Sequence, residues 1–524
     1  MKGDDAMPIY GIDLGTTFSA IAYVNPNREP VCIPIGGERG RTIPSAVLFV
    51  NENEAHVGWE ALEREGALLI QFAKRDIGLE RGRRWEFRGW TYTPEEISAL
   101  ILRKIVQVVG AHSWRLPPVR DVVITHPQYF YMSQKEATSE AGRLAGLNVR
   151  ATIPEPTAAA IAYGVCERAE EESRTILVFD LGGGTFDVTL MKVTQRKFEV
   201  LGSAGDAQLG GIDWDAELIR YLKEEFRRRA GVDFDDVASH GQRVALEQTA
   251  QRMKEQLSDQ DEVREVIYAG TMHMLVTVTR EAFEQMCAPL VDRCVQKCGE
   301  LLQLTGYKWS ELDEVILVGG STKMPMIQRA VRAAFGREPR IDQDPKLAVA
   351  HGAAIWGYWV EQGWVDARWG REGSSSLMVE PVEVSGRTAH GLGVLARRGE
   401  HEIIDIIIPR NTQTPHHVAK EYYTAWDNMT ELIVPLYESD SEDPDSPACV
   451  RLGQVIIEGL PPGPRGQPVR VNFEIDLAGR LRVKVTHIPT GAERVVEVRR
   501  EGLVGRNEPD FNDRFRRLNS ICVR

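Results

Sequence analysis

Up to about residue 360 the chain alternates short β-branched runs with longer stretches of helical periodicity. The strand-type runs are Ile9–Leu14, Ser19–Val24, Pro30–Ile35, Val122–Thr125, Thr175–Asp180, Thr185–Val193 and Glu314–Val318. Ser133-Gln-Lys-Glu136 carries the residues of a capping box and predicts a helix that stops near Gly146. Thr157–Tyr163 is Ala-rich and ends at Gly164, and 240–258 and 281–304 are further helix candidates. Such alternation predicts an α/β fold with a central sheet covered by helices.

The pattern changes after Trp364. Gly and Ser, then Glu380-Pro381, mark a linker over 366–384. Residues 385–500 hold β-branched runs and turn signals: Glu402–Ile408, Tyr422–Ala425, Glu431–Tyr437, Val450–Glu458, Val469–Ile475, Leu481–Thr486 and Arg494–Val498. Seven short strands at this spacing predict an antiparallel β-sandwich. The acidic stretch Glu438–Pro447 reads as a solvated loop. In the tail, 501–524, Phe511, Phe515, Leu518 and Cys522 fall at helical spacing and predict a short amphipathic helix.

Two segments echo each other. Ile12-Asp13-Leu14-Gly15-Thr16-Thr17 and Phe179-Asp180-Leu181-Gly182-Gly183-Gly184-Thr185 both run an apolar strand into Asp-Leu-Gly, a tight turn and a second strand. The echo predicts a duplicated lobe, about 8–193 and 194–365, with a cleft between the copies. The first domain is then 1–365.

Composition narrows the function classes. The 524 residues carry 63 Lys and Arg against 76 Asp and Glu, a net charge of −13, which argues against a basic nucleic-acid-binding face. No apolar run approaches the ~20 residues that span a bilayer, so no membrane partner is expected. The N-terminus is acidic where a secretory leader would be basic, and a cytoplasmic location is expected. The seven cysteines are scattered and odd in number, as for reduced thiols. Cys287, Cys294 and Cys298 share a helix face without a nearby His, and read as packed thiols instead of metal ligands.

The turns carry the chemistry. Gly15-Thr16-Thr17 lets backbone approach an anion and adds two hydroxyl donors, and Gly182-Gly183-Gly184-Thr185 repeats the device. Three glycines in one turn are costly in backbone entropy, which close approach to a ligand would explain. Asp13, Asp180 and Asp187, converging from two lobes, suit a hydrated Mg²⁺–nucleotide site. Leu317-Val318-Gly319-Gly320-Ser321-Thr322-Lys323, ahead of Pro325, forms a third phosphate-type turn. No Walker A sequence is present.

These three signatures, with Pro154-Glu155-Pro156-Thr157-Ala158-Ala159-Ala160-Ile161-Ala162-Tyr163-Gly164, resemble those of the heat-shock protein 70 (DnaK-type) chaperone family. The likeness runs from about Tyr10 to Trp356 and on through Tyr423-Thr424-Ala425-Trp426-Asp427-Asn428 and Pro461-Pro462-Gly463-Pro464-Arg465-Gly466. It implies a duplicated, actin-like and ribonuclease H-like ATPase domain of two lobes, followed by a small antiparallel β-sandwich. It also implies ATP and ADP as ligands with Mg²⁺, K⁺ as a further candidate ion, and slow hydrolysis.

On this resemblance Thr16 and Thr17 contact phosphates, while Asp13, Asp180 and Asp187 hold Mg²⁺ through water. Lys74 is the catalytic lysine, and Glu155 and Thr185 sense the γ-phosphate. Gly210, Gly211, Lys254, Ser258, Gly319, Gly320, Ser321 and Lys323 frame ribose and adenine. Pro127 and Lys135 relay the nucleotide state to the β domain, where Ala425, Leu432 and Val434 form the arch and pocket for extended apolar peptides of unfolded proteins. A J-domain co-chaperone and an exchange factor are the implied partners, and stress response the implied setting.

Several positions depart from the family pattern. Lys135 stands where Arg is usual and loses its bidentate geometry. Tyr131-Met132 replaces Asn-Asp, Phe18 lacks a Tyr hydroxyl, and Gln251, Glu255 and Lys323 alter the adenine side. Ser376-Leu377-Met378-Val379-Glu380 runs into Pro381 in place of the usual Asp- and Leu-rich linker. The residues after 500 are too few for the helical lid, so a truncated member is expected. The leading expectation is an ATP-driven chaperone. The alternative is a nucleotide-binding, non-hydrolysing holdase, exchange factor or dedicated partner-binding protein.

Overall fold

A computed structural model describes residues 7–64, 66–79, 82–111, 116–163, 173–194, 197–341, 344–363, 383–399, 401–446, 448–475, 481–498 and 508–524. The two echoing segments head two sheets of the same design. In the first, Tyr10–Leu14 lies between Asp121–His126, parallel to it, and Phe18–Val24, antiparallel, which continues to Pro30–Cys32. In the second, Arg174–Leu181 lies between the parallel Glu314–Val318 and the antiparallel Phe186–Val193, which continues to Lys197–Asp206. Both central strands are mainly apolar and buried, as strands covered by helices on each side must be, and each carries one Asp near its C-terminal end, Asp13 and Asp180.

Two helices, Glu155–Ala162 and Ala348–Glu361, cross where the sheets approach. Ala158, Ala159 and Ala160 meet Ala348 and Ala353 there, so side chains of minimal size let the lobes come close. Each lobe keeps its own core, and Cys287, Cys294 and Cys298 lie buried and unpaired in the second. The helix expected to start with Ser133-Gln-Lys-Glu136 begins one residue earlier, capped by Tyr131, and spans Met132–Leu144. Gln134 Oε1 accepts the Tyr131 N–H, while Glu136 pairs outward with Arg143 at 2.7 Å. Helix Pro94–Ala111 and a sheet of Ala46–Asn51, Glu54–Val57 and Leu68–Gln71 complete the first lobe.

Residues 391–498 form two four-stranded antiparallel sheets that share one core. Gly391–Arg398, unexpected from sequence because two glycines interrupt it, is the eighth strand, and the expected Tyr422–Ala425 strand is instead His416–Tyr423. Of the expected linker only 383–384 are described. With Ser385 they pair in parallel with Lys197–Asp206 and extend the second lobe's sheet; the Ser376–Glu380 segment lies outside the described residues. Glu438 and Ser439, expected in a solvated loop, are buried at the end of strand Glu431–Ser439.

The tail helix spans Glu508–Ser520 and packs on the first lobe, against Pro94–Ala111 and Met132–Leu144. Phe511 and Phe515 stack on one face, and Leu518 enters the lobe core at 0% exposure. Cys522, expected to continue the helical stripe, is exposed in a two-residue strand that pairs in parallel with Glu54–Ala55, and its neighbours Ile521 and Val523 are the buried ones. No helix among the described residues is long and apolar enough to cross a membrane.

Two stability outcomes are expected. Leu518→Ala removes a fully buried side chain and is expected to cost about 2–5 kcal/mol in denaturant unfolding; a loss below about 1 kcal/mol would show that the tail is not part of this core. His126 is buried, and burial, with Lys135 and Lys74 adding to it, pushes its pKa down from 6.5 to about 3. The folded state therefore refuses a proton that the unfolded chain accepts, and stability is lost as pH falls from about 6.5 toward about 3. His126→Asn is expected to flatten that slope in urea midpoints measured against pH; an unchanged slope would contradict the assignment.

Candidate functional site

The two hairpin turns together line a cavity of about 280 Å³. Its walls include Asp13, Gly15, Thr16, Thr17, Lys74, Glu155, Asp180, Gly182, Gly183 and Thr185, and also Lys254, Ser258, Gly319, Gly320, Ser321 and Lys323. Asp187 sits behind the wall, paired across the hairpin with Asp180. Gly184, Gly210 and Gly211 also lie behind it. A Cβ on Gly210 would stand 2.6 Å from the Gly184 backbone, and Gly211 N–H donates to Gly182 O at 3.0 Å.

The glycines have a more specific reason than ligand approach alone. A Cβ on Gly183 would lie 1.7 Å from Thr17 Oγ1, and one on Gly184 2.3 Å from Thr16 Cγ2. At these two positions glycine lets the hairpin tips touch, whereas a Cβ on Gly182 would meet only Thr185 O, at 3.7 Å. Ser321 Oγ donates to Gly182 O at 2.8 Å and ties the third turn to the second.

Lys74 follows Phe72, whose φ of +61° is left-handed and rare for a bulky residue. Its buried Nζ donates to Glu155 Oε1 at 2.6 Å and lies 5.9 Å from the Phe130 ring centre. Around this ammonium stand four buried or half-buried carboxylates. Burial first, then the Glu155 charge, pushes Asp13 and Asp187 up to about 7; Lys74 opposes the rise in both. Asp180 rises well above its ordinary value through burial and then its three carboxylate neighbours. Thr125 Oγ1 donates to Asp13 at 3.0 Å, and the Tyr129 N–H donates to Asp187 Oδ1 at 3.1 Å.

This donor set tests the expected Mg²⁺. No group of three or more His, Cys, Asp or Glu among the described residues is close enough to ligate one ion directly. Spread carboxylates with too little counter-charge match a cation that keeps its water shell, which Mg²⁺ does. Thr17 Oγ1 is buried and has no hydrogen-bond partner, as expected of a donor reserved for a phosphate oxygen. The residues therefore fit both groups.

Lys254 Nζ donates to Gly211 O and Asp215 Oδ2, at 2.8 and 2.9 Å, and Ser258 Oγ reaches Lys254 O at 3.5 Å. Gln251 and Glu255 line the same cavity, and Lys323 turns to Asp344 at 3.2 Å. Three polar residues here escaped the sequence reading. Arg75 Nε donates to Gly184 O at 2.8 Å and its Nη2 to Asp213 at 2.8 Å, so it ties the two lobes together. Asp213 accepts the Gly210 N–H at 2.7 Å, and Asp215 anchors Lys254. Only the position of Arg75 beside Lys74 hinted at any of this.

The site continues into the β-sandwich. Tyr129, whose N–H serves Asp187, places its carbonyl 3.0 Å from His390 Nε2. His390 lies flat on Tyr131, ring centres 3.9 Å apart, and its Nδ1 meets Asp440 at 2.8 Å. Glu438 accepts the Met132 N–H at 2.8 Å. Burial lowers the pKa of Lys135, and the charges of Glu438 in the sandwich and Asp187 behind the cavity wall oppose that. Pro127 is buried in the preceding turn, its carbonyl accepting from Phe130 N at 3.3 Å. Leu432 and Val434 lie in the sandwich core at 7% and 9% exposure, while Ala425 is exposed. Tyr423, Trp426 and Ile433 are the exposed large apolar groups near them.

The Hsp70 protein family model matches residues 79–510, most of the chain. Proteins of this family are generally ATP-dependent chaperones with a two-lobed, actin-like ATPase fold, and the paired sheets, the touching turns and the attached sandwich accord with that. The chain belongs to the Hsp70 family.

Proposed function

We propose that this chain binds Mg-ATP between its lobes and hydrolyses it to control the grip of its β-sandwich on extended apolar peptides of unfolded proteins. The observation that carries the reading is the cavity itself, with two mirrored Gly/Thr turns and a ring of carboxylates around the buried Lys74. In phosphoryl transfer, positioning and charge neutralisation supply most of the catalysis. Thr16, Thr17 and the Gly182–Thr185 turn hold the phosphates, and Gly319, Gly320 and Ser321 close the third side. Asp13, Asp180 and Asp187 would hold Mg²⁺ through water, which supplies further charge neutralisation. Lys74 faces the transferring phosphoryl group and Glu155 holds its ammonium in place. Lys254, Ser258 and Lys323 take the nucleoside end, with Gly210 and Gly211 behind them.

Pro127 and Lys135 pass the nucleotide state onward, with Lys135 acting between Asp187 and Glu438. Ala425, Leu432 and Val434 serve the peptide side, where Leu432 and Val434 must become accessible as the sandwich opens. A J-domain co-chaperone and an exchange factor are the natural partners, in a cytoplasmic setting. A second reading is a nucleotide-held binding module without useful hydrolysis. The 2.6 Å Lys74–Glu155 pair favours it, because that ammonium is already committed to a partner.

ATP turnover with and without an apolar peptide separates the two. Lys74→Ala is expected to lower the hydrolysis rate by about 10²–10³-fold with ATP still bound. Bound ATP with no turnover in the wild-type protein would overturn hydrolysis and leave the binding module.

A further inference from the structure

The tail is a structural partner of the catalytic lysine's turn, through a continuous path of short contacts. Lys74 lies in the turn Ala73–Asp76, which Gly78 closes at φ +73°. The Gly78 N–H donates to Glu95 Oε1 at 3.1 Å, on the first turn of helix Pro94–Ala111. On its other side Gly78 lies directly on helix Met132–Leu144, where a Cβ would stand 2.4 Å from Gln134 Cα. The turn is thus wedged between two helix starts.

Arg514 of the tail joins those two helices. Its Nη1 donates to Glu140 of Met132–Leu144 at 2.7 Å. Its Nε lies 3.2 Å from Glu96 of Pro94–Ala111, and Nη2 donates to Thr93 Oγ1 at 2.9 Å. Glu96 and Glu140 are 1% and 2% exposed, and Arg517 adds a second guanidinium on Glu96. A planar fork serving two buried carboxylates on different helices fixes their spacing as well as their charge. Arg103 donates in return to the carbonyls of Leu518 and Ile521 and locks the tail helix end.

We propose that Arg514 is a positioning residue for the nucleotide site: by clamping Glu96 and Glu140 it holds the two helices that set the Lys74 turn. This rests on the reading of Lys74 as the catalytic lysine. Misplacing a catalytic group by about 1 Å costs about 10²-fold in rate. The nucleoside side, built on Lys254 in the other lobe, is untouched by the clamp.

The test uses the full chain. Arg514→Met alone withdraws this guanidinium from two buried acids, while Arg517 stays on Glu96, so it is combined with Glu96→Gln and Glu140→Gln, which remove the buried charges and spare the fold. The triple variant is expected to melt near the wild-type temperature, to lower kcat for ATP about tenfold or more with KM within about threefold, and to speed amide hydrogen exchange at Gly78 about tenfold. Arg514→Lys, which can serve only one carboxylate well, is expected to fall between. Wild-type kcat and unchanged Gly78 exchange in the triple variant would overturn the inference while the ATPase reading stands. Absent wild-type turnover with faster Gly78 exchange would instead sink the reading and keep the clamp.

Discussion

One buried ammonium among four carboxylates organises the molecule. Lys74 opposes the negative charge of Asp13, Glu155, Asp180 and Asp187, and it does so incompletely, since Asp13, Asp180 and Asp187 are driven toward their protonated forms. Such an arrangement is costly in a dry interior unless another positive group joins it. It persists because the surrounding structure is over-determined. Two sheets present the acids from opposite sides, and a left-handed Phe72 turns the lysine inward. The site stores charge imbalance that a cation-bound polyanion relieves, so ligand affinity and folding stability are linked in this chain.

The same centre reaches the β-sandwich by few steps. Asp187 accepts from the Tyr129 backbone, and the carbonyl of that residue meets His390. A shift at one acid therefore moves a peptide unit whose other end already belongs to the sandwich. The acids Glu438 and Asp440 complete the junction, with burial opposing ionisation of both. At Asp440, the hydrogen bond and charge of His390, then the Arg410 charge and the Tyr129 hydrogen bond, together outweigh that and lower its pKa; at Glu438, the charges of His390 and Lys135 only partly offset it. The junction is polar and charged, the kind of interface that can be made and broken without exposing a large apolar face.

The parts legible in the sequence are those whose signal is local. Asp-Leu-Gly turns between apolar strands reveal both hairpins because turn chemistry lies within a few residues. The carboxylates and Lys74 follow from the motifs those turns belong to. Arg75 and Asp213 were not legible, since their pairing is set by the docking of one lobe on the other, nor was Asp215, whose partner Lys254 comes from a separate helix, His240–Gln256. Glu438 misled because an acidic stretch usually means solvent, and only the meeting of two domains buries it. The Gly391–Arg398 strand was hidden by its glycines, and the cap of the expected helix Met132–Leu144 by a start that uses Tyr131 and Gln134 in place of the Ser133–Glu136 pair. The tail helix was visible in its spacing, but nothing in that spacing named the surface it covers.

That surface has a consequence for synthesis. The first lobe begins with strand Tyr10–Leu14, yet its core includes Leu518, Ile521 and Val523. A ribosome delivers the N-terminal strands first and these three residues only after the whole β-sandwich. The lobe's nucleus can collapse early, but its last layer waits for the β-sandwich to be made and for the chain to return. Contacts of such long sequence separation slow folding and leave apolar surface uncovered in the meantime. By the composition of its own core, this member of a chaperone family exposes a nascent intermediate of the kind its relatives bind.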